Sequence, residues 1–364
     1  MNLSPALQQR YCQDDLSARE AQRQAEFLAF APFAFQVARI MLRWGILESL
    51  RNSDGGMTVD EVAAKHGIST YAAKCLLEAS LSIGIVLAEP DGDRFTLSKT
   101  GWFLINDPAT NVNIDFTHDV CYQGLFRLDE ALQEGKPAGL KHFGDWPTIY
   151  EGLSQLPEQA QKSWFAFDHF YSDSSFSEAL RIVFSKQPKT LLDVGGNTGR
   201  WALQCVAHDP QVRVTIMDLP QQIGLMRQQT AGKEGSDRID AYPTNLLDEA
   251  TAFPQQHFDA VWMSQFLDCF SEAQILSILR RAAKAMDADS TLYIMETLWD
   301  RQRFEPAALC LTQISLYFTA MANGNSKMMH SADLLRLVEQ AGFAVVAMHD
   351  QLGQGHTIVE LRKA

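Results

Sequence analysis

Apolar positions along this chain change their spacing twice. Within residues 18–50 the stretch AEFLAFAPFAFQVARIMLRWGILESL is apolar at most positions. A helix that is apolar nearly all round needs burial on several sides, so this one is expected to lie in a core or against a second subunit. Over residues 57–105 the pattern becomes punctuated. Thr58 stands three residues before Glu61, the spacing of a capping box, and VDEVAAKH is stopped by Gly67. A second helix is expected from Ser69 to Gly84, after which IVLAEPDGDRFTLS reads as two short strands around a Pro-Asp-Gly-Asp turn. Helix, helix, hairpin is the order of a winged helix. In a DNA reader of that design the second helix carries basic side chains. Here its charges are Lys74 and Glu78, which suits packing instead.

Residues 106–180 read as helices and loops in which aromatics recur, among them Trp146, Tyr150, Trp164, Phe165, Phe167, Phe170 and Tyr171. Core packing accounts for most of them, and a few are candidates to line a pocket for a flat substrate. From Lys189 onward strands and helices alternate. TLLDVGG, VRVTIMDLP, FDAVWMSQFL and STLYIMETL are the strands, with helices between them, and FAVVAMHDQ and HTIVELRK close the series. Such alternation implies a parallel sheet with helices on both faces, whose ligands sit beyond the carboxyl ends of the strands.

Length and composition narrow this picture. A chain of 364 residues suits more than one domain. The divisions expected are residues 1–110, a helical linker over 111–180 and the strand–helix domain over 181–364. Hydrophobic residues at 46% and charged residues at 21% are the balance of a globular protein. No apolar run reads as long enough to span a bilayer, and the polar, acidic start has no signal-peptide pattern. The six cysteines are scattered without a CxxC pair, so neither zinc nor a disulfide framework is expected. A reducing, cytoplasmic location follows, with no membrane partner. A net charge of -13 argues against a nucleic-acid partner, which would need basic groups to replace counterions. No Asp/His cluster stands out, so no metal is expected.

The chemistry concentrates in Asp193-Val-Gly-Gly-Asn-Thr-Gly199. Gly195, Gly196 and Gly199 sit where a strand turns into a helix, and without side chains they let a ligand approach the backbone. A glycine cluster alone is equally a plain strand-to-helix turn. Two acidic residues add to it. Asp193 precedes the first glycine by two positions, where a dinucleotide site usually carries apolar residues. An acidic group there suits the ammonium of S-adenosylmethionine, which has no pyrophosphate. Asp218 ends the next strand, nineteen residues past Gly199, where a carboxylate can bind both ribose hydroxyls. S-adenosylmethionine is therefore expected over a nicotinamide cofactor.

With these residues in hand, the C-terminal half resembles the O-methyltransferase family of the plant caffeate and flavonoid enzymes and their bacterial relatives acting on polyketides and phenols. The matching stretches are LLDVGGNTG, VTIMDLP, YPTNLLDE, FDAVWMSQFLDCFSEAQILSILRRAAKAM, LYIMET and LVEQAGF. That family has a winged-helix-like N-terminal dimerisation domain, matching residues 20–105. The resemblance implies a Rossmann-like α/β cofactor domain, a homodimer, S-adenosylmethionine as donor and a small hydroxylated aromatic or polyketide-like acceptor. It also implies that the glycine loop with Asn197, and Asp218 with Leu219, hold the donor. Asn245 and Leu246 would flank its adenine, and Ser264 and Gln265 would border its methionine part. Phe167 and Tyr171 would close over cofactor or acceptor.

The pattern breaks at one place. The family motif after the VWM strand usually reads His-Asp-Trp, with histidine as base, and here it reads Asp268-Cys269-Phe270. Glu296 matches the glutamate that orients the histidine, while Met328 stands where a further family glutamate is usual. Three readings stay open. Asp268 is the base with a raised pKa, or His169, His330 or Tyr171 takes the role, or the acceptor is acidic enough to need little help. Asp268 is equally placed to cap the helix starting near Ser271. The catalytic pair expected is Asp268 and Glu296. The rival functions are a relative that binds S-adenosylmethionine but has lost methyl transfer, and a winged-helix regulator that senses it.

Overall fold

The computed structural model describes residues 3–90 and 92–364, so Asp91 of the expected turn lies outside the described residues. The chain divides into two compact units, Asp14–Thr117 and the residues up to Gln13 with His118–Ala364. Segment 118–180 thus belongs to the same unit as the strand–helix region.

In the smaller unit the helix Ala18–Arg43 starts at a capping box made by Ser17 and Glu20. Its apolar character does not lead to burial within the chain: Met41 is its one buried residue, and Phe27, Leu28, Phe30 and Phe33 are exposed, Phe33 at 69%. By length and composition this helix is able to cross a membrane, with a mean hydropathy of 1.4. The expectation that no run is long enough is corrected by that measure. Thr58 and Glu61 form the expected capping box on Val59–His66, and Gly67 ends that helix in the left-handed region. Ser69 caps Thr70–Ser82, and Lys74 pairs with Glu78 on its exposed side. Strands β1 (Val86–Ala88) and β2 (Phe95–Leu97) form an antiparallel pair. Met41, Leu47, Val62, Leu77, Val86 and Phe95 share the core of this unit.

The larger unit holds a seven-stranded sheet in the order β5-β4-β3-β6-β7-β9-β8. Its strands are β3 (Thr190–Val194), β4 (Arg213–Asp218), β5 (Ile239–Pro243), β6 (Ala260–Ser264), β7 (Thr291–Glu296), β8 (Phe343–Leu352) and β9 (His356–Lys363). β3 to β7 run parallel, and their central members are near-continuous apolar runs because helices cover both faces. Two separate clusters form those faces, one with Leu192, Met263 and Ile294, the other with Leu191, Trp262 and Tyr293.

Two features depart from the strand pattern read in the sequence. β5 escapes it, because Ile-Asp-Ala-Tyr-Pro is half exposed at the sheet edge and lacks a core strand's apolar run. Its proline is tolerated at an edge. The closing strands are antiparallel: β9 pairs antiparallel with both β7 and β8. Residues 353–355 alone join β8 to β9, too few for the crossover that parallel pairing needs. The strand order reverses between β3 and β6, and that switch point opens a crevice at their carboxyl ends.

Candidate active site

β3 and β4 lie side by side, so Asp193 and Asp218 come to one edge of the sheet. The loop after β3 is drawn tight. Gly195 (φ 78°) donates its amide to the Met217 carbonyl at 2.9 Å, and Asn197 follows in the left-handed region at φ 47°. A Cβ on Gly195 would fall 2.3 Å from the Phe266 ring, and one on Gly196 would fall 2.6 Å from Asp193 Oδ2. Gly195 is required by contact as well as by conformation, and Gly196 by contact. The Asn197 amide donates to Asp218 Oδ2 at 2.8 Å, and the Leu219 amide donates to Oδ1 at 2.7 Å. Gly199 (φ 80°) starts the helix Arg200–His208.

Asp193 is 2% exposed, and its Oδ2 is buried without a hydrogen-bond partner. Burial first, then the Asp218 charge, pushes its pKa up to about 8. Burial likewise lifts Asp218 to about 6, against the pull of its two amide donors. Asn197 Oδ1 is a second buried acceptor without a partner. Two unsatisfied acceptors in one crevice call for a donor, preferably a cation. An ammonium supplies both charge and hydrogens, so the loop fits the amino-acid end of S-adenosylmethionine.

The second half of the crevice lies beyond β6 and β7. Ser264 ends β6, and Gln265 follows in the left-handed region at φ 45°. Glu296 ends β7 and is 1% exposed. Its Oε1 accepts the amides of Phe266 and Leu267 at 3.1 and 2.9 Å, which shapes the turn carrying Asp268. Oε2 is buried without a partner. Burial, then the charge of Asp268, drives the Glu296 pKa well above the carboxylate range. Asp268 is itself 3% exposed, and burial lifts it to about 6 although the Cys269 thiol lies 3.4 Å from its Oδ1. Asp268 does not cap the following helix: Ser271 does, in a capping box with Gln274.

The other base candidates are placed differently. His330 spends Nδ1 on the Ala332 amide as a helix cap, and its Nε2 stands 3.6 Å from Asp300. His169 stacks on Phe165 with centroids 5.9 Å apart. Burial, then the Arg200 charge, lowers His169 to about 4, below Asp268 in basicity. Tyr171 packs on Phe167 at 5.0 Å between centroids, on the same helix, Glu158–Asp173. Met328 is buried, with the Thr297 hydroxyl 3.5 Å from its sulfur. Asn245 is exposed, its Oδ1 accepting the Leu247 amide, whereas Leu246 is buried and its carbonyl accepts from Arg281.

Two further residues belong here, Asp168, which the sequence did not single out, and Tyr150, which it offered only among the recurring aromatics. Asp168 accepts a hydrogen bond from Asn197 Nδ2 at 3.1 Å, tying the helix Glu158–Asp173 to the glycine loop. Burial, then the charges of Asp268 and Asp173, lift Asp168 to about 7. Tyr150 has a buried hydroxyl beside Cys269 and Asp268. Neither lies in a motif, so only the fold discloses their place beside the glycine loop and Asp268. A surface group of exposed His257, Asp287 and Asp289 also draws together. It lies before β6 and β7, at the opposite edge of the sheet from the glycine loop.

Comparison with known proteins agrees with this geometry. A Dimerisation2-like domain matches residues 22–95, and an O-methyltransferase domain matches residues 167–344. The chain is similar to 3-hydroxy-5-methyl-1-naphthoate 3-O-methyltransferase of Streptomyces sahachiroi, 24% identical over 79% of this chain and 81% of that one. Its fold is similar to that of the S-adenosylmethionine-dependent methyltransferase SibL in its apo form. That likeness has a TM-score of 0.69 and 24% identity over 93% of this chain and 98% of the other. It is similar too to the O-methyltransferase NcsB1 from neocarzinostatin biosynthesis, solved with S-adenosyl-L-homocysteine and 1,4-dihydroxy-2-naphthoic acid. There the TM-score is 0.68 and the identity 18%, over 97% of this chain and 100% of the other.

Proposed function

The chain belongs to the O-methyltransferase family, and we propose that it methylates a hydroxyl of a small hydroxylated aromatic acceptor of the naphthoate or polyketide type. It is a methyltransferase dependent on S-adenosylmethionine, its cofactor. The observation that carries this reading is the O-methyltransferase match over residues 167–344, which encloses the glycine loop, Asp218, Asp268 and Glu296 together.

Asp193, the Gly195–Gly199 loop, Asn197, Asp218 and Leu219 would hold the donor. Asn245 and Leu246 would flank its adenine, Ser264 and Gln265 its methionine part, and Phe167 and Tyr171 would close over it or the acceptor. When bound, S-adenosylmethionine supplies an electrophilic methyl group on a sulfonium. The protein's part is to position and to move one proton. Asp268 takes the proton of the acceptor hydroxyl. At about 6 its pKa leaves it ionised at neutral pH and a stronger base than an ordinary aspartate. Burial and the Asp268 charge also push the Glu296 carboxyl well above its ordinary range. Through its Oε1 it holds the turn that presents Asp268.

The organisation follows the same reading. Residues 1–110 form a winged-helix-like dimerisation domain, 111–180 help to build the acceptor pocket and 181–364 bind the donor. The exposed apolar helix Ala18–Arg43 and the Dimerisation2-like match support a homodimer in which a second copy, not lipid, covers that helix. A cytoplasmic location without nucleic-acid partners fits the free cysteines and the net charge of -13.

The test is incubation with methyl-labelled S-adenosylmethionine and a panel of hydroxylated naphthoates, beside calorimetry with S-adenosylhomocysteine. Label appearing as an aryl methyl ether supports the reading. Binding of S-adenosylhomocysteine without transfer to any acceptor favours a relative that has lost the reaction. Failure to bind it sinks the assignment of the glycine loop.

A further inference from the structure

β9 is antiparallel to β7, so its first residue lies at the carboxyl edge of the sheet, beside the crevice. The register pairs Glu296 with Thr357, which puts His356 one position beyond that pair. His356 is completely buried. Its Nε2 lies 3.3 Å from Gln265 Oε1, and its Nδ1 lies 2.9 Å from Ser175 Oγ. Because Gln265 Oε1 can only accept, the ring carries its hydrogen on Nε2, which leaves Nδ1 to accept from Ser175. Burial holds the His356 pKa down at about 4, so the ring is neutral throughout the working range.

Both partners have features that packing alone leaves without a reason. Ser175 stands at the N-cap of Phe176–Val183, the position where serine usually caps, yet its hydroxyl makes no capping bond. It lies 2.9 Å from His356 Nδ1 and 3.3 Å from the Leu352 carbonyl instead, and its single hydrogen serves the nearer Nδ1. Gln265 is one of few non-glycine residues in the left-handed region, a conformation that surroundings must enforce and that clusters at functional sites. Its amide is held by the Met295 carbonyl at 2.9 Å, and its side chain by His356.

We propose that His356 is a positioning residue for the donor: a buried Ser175–His356–Gln265 relay fixes the Gln265 side chain so that its amide NH2 is offered to the carboxylate of the donor's amino-acid end. With Oε1 engaged by His356, the NH2 is the group Gln265 has left for a ligand, and it suits an anionic oxygen. This inference rests on the reading that Gln265 borders the methionine part. Fixing the side chain before binding removes its ordering cost from the binding step.

The experiment measures binding by calorimetry of S-adenosylhomocysteine and of methylthioadenosine, which lacks the amino-acid tail. In His356→Phe, S-adenosylhomocysteine should bind about tenfold more weakly, the scale of one lost hydrogen bond, while methylthioadenosine binding stays within about twofold. His356→Gln, which keeps a donor at the reach of Nε2, should restore most of the loss. In a Gln265→Ala background, His356→Phe should add nothing. Should His356→Phe fail to fold, Ser175→Ala carries the same comparison, with a weaker effect of about threefold. Equal weakening of both ligands, or additive effects of the two substitutions, would overturn the relay. Wild-type protein that binds neither ligand would overturn the cofactor-site reading itself, a different and separable result.

Discussion

Glu296 and Asp268 are two buried carboxyl groups at one turn, and Glu296 Oε1 accepts the amides of Phe266 and Leu267, the two residues immediately before Asp268. In the proposed reading a carboxylate, made more basic by its burial, stands where the family carries an imidazole base.

The first consequence concerns rate and pH. With Asp268 as the proposed base and its pKa raised to about 6, kcat/KM should rise as pH passes through about 6 and level off above it. Asp268→Asn should lower kcat by about 10²-fold or more and abolish that limb, with S-adenosylhomocysteine affinity nearly unchanged. Glu296→Gln keeps an acceptor for the two amides and should cost no more than about tenfold. Steady-state rates of the three proteins between pH 5 and pH 9, a window of about two units either side of neutrality, decide the matter. Wild-type turnover in Asp268→Asn would remove it as the base.

A second consequence concerns stability without ligand. Asp193 has a folded pKa raised to about 8 from an ordinary value near ~3.9. A raised carboxyl binds its proton more tightly folded than unfolded, so its contribution is complete below the unfolded pKa and is lost as pH climbs through the folded one. The Tm of ligand-free protein should therefore fall between pH ~4 and pH ~8, and S-adenosylmethionine should offset the fall. Asp193→Asn should raise the ligand-free Tm at pH ~8 while weakening S-adenosylhomocysteine binding at least about tenfold. Scanning calorimetry with and without ligand reads both effects. A lower Tm in the variant at that pH contradicts the assignment.

The glycine loop makes a steric prediction. A methyl on Gly195 would meet the Phe266 ring at 2.3 Å, and one on Gly196 would meet Ile216 at 2.8 Å as well as Asp193. Gly195→Ala also has to adopt φ 78°. It should lose about 1–3 kcal/mol of stability and most donor binding, measured by denaturant unfolding and calorimetry. Gly224→Ala, where a Cβ meets nothing within 4 Å, is the matched control and should be nearly silent.

The helix Ala18–Arg43 makes a prediction about assembly. Phe33 is 69% exposed within one chain, with Phe27, Leu28 and Phe30 exposed near it. A surface this apolar is the one the proposed homodimer would cover. Phe33→Glu should convert a dimer to a monomer in light scattering, without unfolding the sheet domain. A wild-type monomer at micromolar concentration would refute the homodimer.

Local signals were legible where they depend on neighbours in sequence. The capping box at Thr58, the left-handed stop at Gly67 and the apolar strands β3, β6 and β7 follow from spacing and side-chain chemistry alone, whereas the cap at Ser271 does not, Asp268 being the candidate there. β5 was not, since an edge strand half exposed to water carries no strong apolar pattern. The antiparallel closing hairpin was not either, because strand direction follows from the connection and the pairing, not from composition.

The sequence by itself determined the motif: glycines at a strand end, an acidic residue before them, a second acidic residue after the next strand, and an aspartate where the family carries histidine. Only the tertiary structure decided what those groups experience. The raised pKa values of Asp268 and Glu296, the bare oxygen of Asp193 and the link from His356 to Gln265 depend on burial and on contacts across 91 positions of chain in the last case. The type of side chain sets which charges are available. The low dielectric and the neighbours that the fold assembles set which of them survive at neutral pH.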